Sequence, residues 1–273
     1  MPVDTDPAVA CAAPEEDLAT PELTPREKEE AEQRTSVKAN VVHEAIRLDG
    51  DTELDRSASA LASSGLAAGL SMGFSFIAEA LLRSYLPDAP WRPLVAKFGY
   101  SFGFLIVIVA RQQLFTENTL TAVIPVLTRR TWNSLYRMLR LWSIVLTANL
   151  VGAHIMAWVL GNTPAFSPHV QDTFAKIAKE TIAVTPPAAI LRGIFAGWLI
   201  ATLVWMRAAI DAEKIPLIVI MTYFVALGGF THIIAGSIEA LFLVTTGVIG
   251  WMSFATGYML PTLLGNCLGG CRW

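Results

Sequence analysis

Two long apolar runs in this chain are each broken by a short polar signature, and the two signatures look alike. The first reads Gln113-Leu114-Phe115-Thr116-Glu117-Asn118. The second reads Gly228-Gly229-Phe230-Thr231-His232, its Phe-Thr pair 115 positions after the first. The flanking stretches are greasy enough to enter a bilayer. Lipid offers broken backbone no hydrogen-bond partner, so such breaks persist only where protein or a water-lined cavity receives them. Paired interruptions in the two halves of a chain are a sequence mark of a transport site near the membrane midplane. The pattern points to a transporter or channel.

Hydrophobic residues make up 53% of the chain and charged residues 16%, outside the usual soluble range. The net charge of -3 hides an asymmetry: residues 1–56 carry 15 acids and 6 bases, the remainder 8 acids and 14 bases. Residues 1–56 are therefore expected to form a solvated acidic tail on a membrane body spanning residues 57–273. Residues 1–35 bury too little apolar surface to offset their ordering entropy, and disorder is expected there. From Ser36 to Leu48, the residues Val37, Val41, Ala45 and Leu48 recur at helical spacing, which suggests a short amphipathic helix beside the membrane. No basic segment followed by an apolar stretch opens the chain, so no secretory signal is expected. Cys267 and Cys271 share a helix face without a histidine or further cysteine nearby. Core thiols are expected, with no metal, no cofactor and no disulfide framework.

A spanning helix needs roughly 20 mostly apolar residues. Six candidates follow: Ser57 to Leu82; Leu94 to Leu114, resuming from Leu120 to Leu127; Leu135 to Leu160; Ala188 to Met206; Ile215 to Phe230, resuming from Ile233 to Val244; and Trp251 onward. A long polar connection, Gly161 to Thr185, separates the third from the fourth. The reading is an all-α membrane protein of six transmembrane helices in two three-helix repeats, with helices 2 and 5 broken. An odd number of spans per repeat makes the repeats inverted. Arg129, Arg130, Arg137, Arg140, Arg207 and Lys214 flank two of the short connections. By the positive-inside rule the amino terminus is expected in the cytoplasm.

Six segments now matter together. They are Ser101-Phe102-Gly103-Phe104, Leu114-Phe115-Thr116, Asn149-Leu150-Val151-Gly152-Ala153, Arg192-Gly193-Ile194 through Val204-Trp205-Met206, Gly229-Phe230 with His232, and Leu260-Pro261-Thr262-Leu263-Leu264-Gly265-Asn266. In this order, over roughly residues 57–270, they resemble the motifs of the formate/nitrite transporter family. The string from Arg111 to Asn118 is similar to that family's YfdC-like branch. The resemblance implies a pentamer of aquaporin-like protomers in a bacterial inner membrane, each with its own pore. The pore would carry small monovalent anions or their weak acids, formate and nitrite among them, often with a proton, and no nucleic acid partner is implied. It also implies that Leu114, Phe115 and Thr116 form the cytoplasmic-side constriction, Phe230 the outer constriction, and His232 the central histidine. The family's lysine at the outer mouth maps nearest to Lys179, with Lys176 in reserve.

The chain departs from the family pattern at four places, with Gln113 and Thr231 where carboxylates are usual and Gly197 and Gly236 where asparagines are. Glu117 and Glu239 are nearby carboxylates that could compensate, and Asn118 follows Glu117 on the same segment. Glu239 faces either the pore or a neighbouring subunit. Arg111 is expected to pair with Glu117 or with a neighbouring protomer, and His154 to be a core residue.

An unshielded anion faces a prohibitive desolvation cost in hydrocarbon. Half-helix amino ends could aim backbone N–H groups at it, and Phe115 and Phe230 could gate hydrated ions. Histidine, whose ordinary pKa is about 6.5, could donate a hydrogen bond or relay a proton, with Thr116 orienting it. Two other readings remain. An aquaporin-like conduit for neutral solutes would lack its usual Asn-Pro-Ala at each break, and a non-conducting scaffold would follow from the missing polar partners. One histidine without nearby carboxylates falls short of an enzyme's catalytic group.

Overall fold

We describe residues 24–28, 37–210 and 214–271 of a computed structural model of the protein. The chain divides into two compact units, residues 1–36 and residues 37–273. In the first, Pro25 to Lys28 form a single helical turn closed by a capping box. Thr24 Oγ1 accepts the Glu27 N–H, and Glu27 Oε2 accepts the Thr24 N–H at 2.8 Å.

Every regular element of the second unit is helical among the described residues. In chain order they are α1 (Ala39–Asp55), α2 (Ala58–Tyr85), α3 (Arg92–Val109, with a 3-10 turn at Lys97–Tyr100), α4 (Phe115–Thr121), α5 (Val123–Arg129), α6 (Trp132–Asn162), α7 (Pro168–Ile182), α8 (Pro186–Ala209), α9 (Lys214–Leu227), α10 (Ala235–Thr245), α11 (Trp251–Phe254) and α12 (Leu260–Gly270). Helices α2, α3, α6 and α8 are long and apolar enough to cross a membrane, and α9 and α10 are shorter apolar helices. Between α11 and α12 the chain makes a π turn, Ala255–Met259. Pro261 has no N–H to return to Gly257, so the ladder is already weakened there.

Both breaks arise from the same device. At Arg111 (φ 52°) and Gly229 (φ 61°) the backbone turns left-handed and ends the preceding helix. Gln112 N–H then bonds to Val107 and Arg111 N–H to Ile108. In the second break Phe230 N–H bonds to Val225 and Gly229 N–H to Ala226. This pair of bonds is the Schellman closure. Helix α3 consequently stops at Val109 and α9 at Leu227, sooner than the apolar runs suggest. Arg111 occupies a conformation that costs a non-glycine residue about 1–2 kcal/mol.

Two helix pairs pack backbone to backbone. A Cβ on Gly69 would lie 2.2 Å from the Asn149 carbonyl oxygen, which holds α2 against α6. A Cβ on Gly197 would lie 2.3 Å from the Asn266 carbonyl oxygen, which holds α8 against α12. Small residues at such crossings let spanning helices approach closely. The connection between α6 and α8 is not merely polar. It contains α7, which buries Val170, Phe174, Ile177 and Ala178.

Helix α1 forms, but on another face than the one expected. Val37, Val41 and Leu48 are exposed, while Val42, Ile46, Gly50 and Leu54 are buried. Val42 and Ile46 pack with Leu120, Ile124, Ala201 and Val204. Asp51 Oδ2 accepts Arg129 Nη2 at 2.7 Å, and Asp55 pairs with Arg137. The helix thus joins the body, although the acidic tail was expected to run to residue 56. Gly50 permits the contact, since a Cβ there would lie 2.1 Å from the Thr121 carbonyl oxygen. Gly50→Val is therefore expected to undock α1 by overpacking, at about 1–3 kcal/mol. Limited proteolysis should then cut near residue 50 while the body stays intact; an unchanged digestion pattern would refute this docking.

Candidate functional site

The free ends left by the breaks are gathered by two asparagines. Asn149 Oδ1 accepts the Phe115 N–H at 2.9 Å, and its Nδ2 donates to the carbonyls of Gly65 (2.7 Å) and Gln113 (2.8 Å). Asn266 Oδ1 accepts the Ile233 N–H at 2.8 Å, and its Nδ2 donates to the carbonyls of Gly193 and Thr231, both at 2.9 Å. Both amides are fully buried. These bonds align Gln113 with Thr231 and Phe115 with Ile233, and the Schellman turns align Arg111 with Gly229. The structural register is therefore three residues away from the one that matches the two Phe-Thr pairs. Leu114 and His232 are the true counterparts.

Two cavities approach one another at these breaks. The first, of about 550 Å³, is lined by Leu114, Glu117 and Asn118 together with Glu53, Arg111 and Arg207. The second, of about 210 Å³, is lined by Phe230, Thr231 and His232 together with Lys97, Arg192 and Glu239. Helix α3 runs between them: Ile108 lines the first cavity, Tyr100 the second, and Phe104 stands midway. Eight residues of helix span about 12 Å. Helix α9 repeats the arrangement with Ile218, Thr222 and Ala226. The dividing plug is Phe104, Thr222 and Thr116, which are buried and line neither cavity, closed by Leu114 on the wall of the first and His232 on the wall of the second.

His232 is 1% exposed and fully committed. Its Nδ1 accepts the backbone N–H groups of Ile234 (3.3 Å) and Ala235 (3.2 Å). A nitrogen that accepts two N–H groups carries no proton, so the geometry assigns the proton to Nε2, 2.8 Å from Thr116 Oγ1. The ring of Phe104 meets the imidazole edge-on at 5.0 Å. Tyr258 Oη donates to the His232 carbonyl at 3.1 Å. The N–H groups of Ile233 through Gly236, at the start of α10, are thus taken by Asn266 and by His232 itself rather than facing a solute. Instead the imidazole passes the helix's positive end on, as an Nε2–H donor beside Thr116.

The other expected residues fall as follows. Phe115 is buried against Trp142 at 5.4 Å and, like Thr116, is absent from both cavity walls. Phe230 lines the second cavity and stacks on Phe195 at 5.2 Å. Thr231 Oγ1 donates to the Ala189 carbonyl at 2.7 Å. Asn118 donates to Gln113 Oε1 at 3.0 Å, and Gln113 Nε2 donates to Glu53 of α1 at 2.7 Å. Glu117 faces Arg207 at 3.7 Å rather than Arg111, which is exposed on the first cavity. Lys179 and Lys176 are exposed and line neither cavity. The cations that do line the second cavity are Lys97 and Arg192. Their sequence signal was weak, because each sits at the end of an apolar run and reads as a membrane flank. Lys97 pairs with buried Glu79 at 2.5 Å. Arg83 pairs with Glu180 on α7, and this hydrogen-bonded guanidinium holds the Glu180 carboxyl below its ordinary value. Among the described residues, no three His, Cys, Asp or Glu side chains gather as metal ligands.

Comparison with known proteins agrees with this architecture. The profile of the formate/nitrite transporter family matches residues 40–272. The chain is 46% identical to the inner membrane protein YfdC of Escherichia coli (strain K12), over 88% of this chain and 77% of that protein. It is 27% identical to the formate channel FocA of Haemophilus influenzae, over 76% of this chain and 81% of that one. Among solved structures, a pentameric formate channel with formate bound superposes with a TM-score of 0.66 at 20% identity, covering 78% of this chain and 92% of that one. An ion channel of the FNT family gives 0.67 at 21%, covering 86% and 92%. At those identities the likeness speaks for the fold alone. The profile and the 46% relative go further: this chain belongs to the formate/nitrite transporter family, a family of membrane channels and transporters rather than enzymes.

Proposed function

We propose that the protein conducts small monovalent anions or their weak acids through a pore in each protomer of a pentamer in a bacterial inner membrane, with a proton. The observation that carries this reading is the approach of two cavities to the two sides of a buried plug that holds the His232–Thr116 pair. The paired Schellman turns and asparagine clamps support six spans in two repeats. The inversion of those repeats, and with it the cytoplasmic amino terminus, follows from three spans per repeat and the flanking arginines. In this orientation the 550 Å³ cavity faces the cytoplasm and the 210 Å³ cavity the outside.

A solute entering from outside meets Lys97 and Arg192, whose charges draw anions toward the cavity. It then sheds water against Phe230 and Phe104. At the plug, the solute takes the Nε2–H of His232 from Thr116 to replace one lost water bond, and the freed Thr116 hydroxyl supplies a second. Neither group carries a net charge, so the solute crosses most readily as a neutral acid.

A second reading, a non-conducting scaffold, is favoured by the fully buried ring of Phe104 between the cavities. Stopped-flow flux in proteoliposomes separates the two, comparing formate, nitrite, acetate, hydrosulfide and fluoride at two pH values. The expected result is uptake of weak-acid anions that rises in acid and is lost on His232→Phe. Flux no greater than that of empty liposomes for every solute would leave the scaffold.

A further inference from the structure

We propose that Glu239 is the acid that gives the permeating anion its proton in the outer cavity, so that the substrates are anions of weak acids; this rests on the transport reading above. Glu239 lies on α10, on the wall that also presents His232 and Gly236, and all three line the 210 Å³ cavity. It is 6% exposed. Its Oε2 accepts a hydrogen bond from Thr181 on α7.

The other carboxylates around it are matched. Glu79 of α2 is paired with Lys97 of α3, and Glu180 of α7 with Arg83 of α2. Glu239 belongs to none of the ion pairs among the described residues, and Thr181 is its one described hydrogen-bond partner. Tyr100 of α3 and Tyr258 of the π turn also face it, and Arg192 of α8 shares its cavity. On the neighbouring α6, His154 rests on Trp251 instead.

The histidine cannot supply the proton. Its Nδ1 is occupied by two backbone N–H groups, so release of the Nε2 proton would leave an imidazolate. Of the two carboxylic acids that line this cavity, Glu180 is held by a guanidinium. Glu239 is left. In the transfer, the O–H bond of the Glu239 carboxyl breaks and an O–H bond forms on the anion. The neutral acid moves on to the plug, and the new carboxylate recovers a proton from the outer solution. Thr181 holds the carboxyl in place and Lys97 faces the carboxylate while it is charged. An anion of a strong acid, such as nitrate, cannot accept this proton.

The test is formate uptake by the full-length protein in proteoliposomes, measured across outer pH. Wild type is expected to speed up in acid and to exclude nitrate. Glu239→Gln is expected to lower uptake in acid by at least about tenfold and to flatten the profile. Glu239→Asp should restore a rising profile. Profiles of wild type and Glu239→Gln that overlie one another would overturn the assignment while leaving transport standing. Wild type without formate flux would overturn transport and this step together. If Glu239→Gln fails to assemble, Thr181→Val carries the test: a displaced profile supports the role, and an unmoved one rejects it.

Discussion

Replacing Asn149 or Asn266 with leucine is expected to destabilise the protein by about 3–5 kcal/mol each, among the larger effects any single substitution produces. Each amide satisfies an N–H and a carbonyl freed by a break, and also bonds a carbonyl of the neighbouring helix. An orphaned buried donor or acceptor costs about 1–3 kcal/mol, and lipid supplies no substitute. Leucine keeps the volume and removes all three bonds, so packing and polarity are separated. Aspartate should fare no better, because it retains the acceptor for the N–H but sets a second oxygen against two carbonyls. Thermal unfolding in detergent, followed by size-exclusion chromatography, measures the loss. A melting temperature within a degree or two of wild type, by the usual conversion of about 2–4 °C per kcal/mol for chains of this size, would mean that water or slippage heals the breaks.

Gly236→Ala is expected to be the most damaging single-methyl change near the plug. The added Cβ would lie 1.7 Å from Tyr258 Oη and 2.6 Å from Cζ, and Tyr258 is buried. The ring must leave, or the π turn that carries it must shift. Either way the bond to the His232 carbonyl is lost. Overpacking of this kind costs about 1–3 kcal/mol, and the plug should lose flux as well. Removal of the hydroxyl alone, in Tyr258→Phe, is expected to cost about 1 kcal/mol. The decisive variant is the double Gly236→Ala/Tyr258→Ala, which should be more stable than the sum of its parts, because the clash exists only when both groups are present. Strict additivity in a thermal-melt cycle would show that residues 236 and 258 do not compete for space.

Much of this architecture is legible in the residues before any coordinates. Apolar length marks the helices, and the polar strings at Gln113 and Thr231 mark the breaks. What periodicity cannot supply is partnership. Val37, Val41, Ala45 and Leu48 form a plausible stripe along and just before α1, yet Val42 and Ile46 meet the body, because two stripes spaced alike are distinguished only by what they touch. The two Phe-Thr pairs are similar in letters but not in place, since the left-handed residues Arg111 and Gly229 set the register. Distance along the chain points to Lys179, whereas a cavity is lined by whatever converges in space, here Lys97 and Arg192. Asn149 and Asn266 stand in motifs visible from the outset, but their work as backbone clamps appears only once Gly65 and Gly193 are beside them.

The two clamps also bear on how such a protein could change its cargo. Because the severed helix ends are bound by side chains of the protein itself, none of them depends on the travelling molecule for its integrity. Residues 231 and 239 can thus be exchanged singly, and 236 with 258 as a matched pair, while the skeleton stays whole. A duplicated chassis with replaceable upholstery lets new solutes be admitted by a handful of swaps along one corridor.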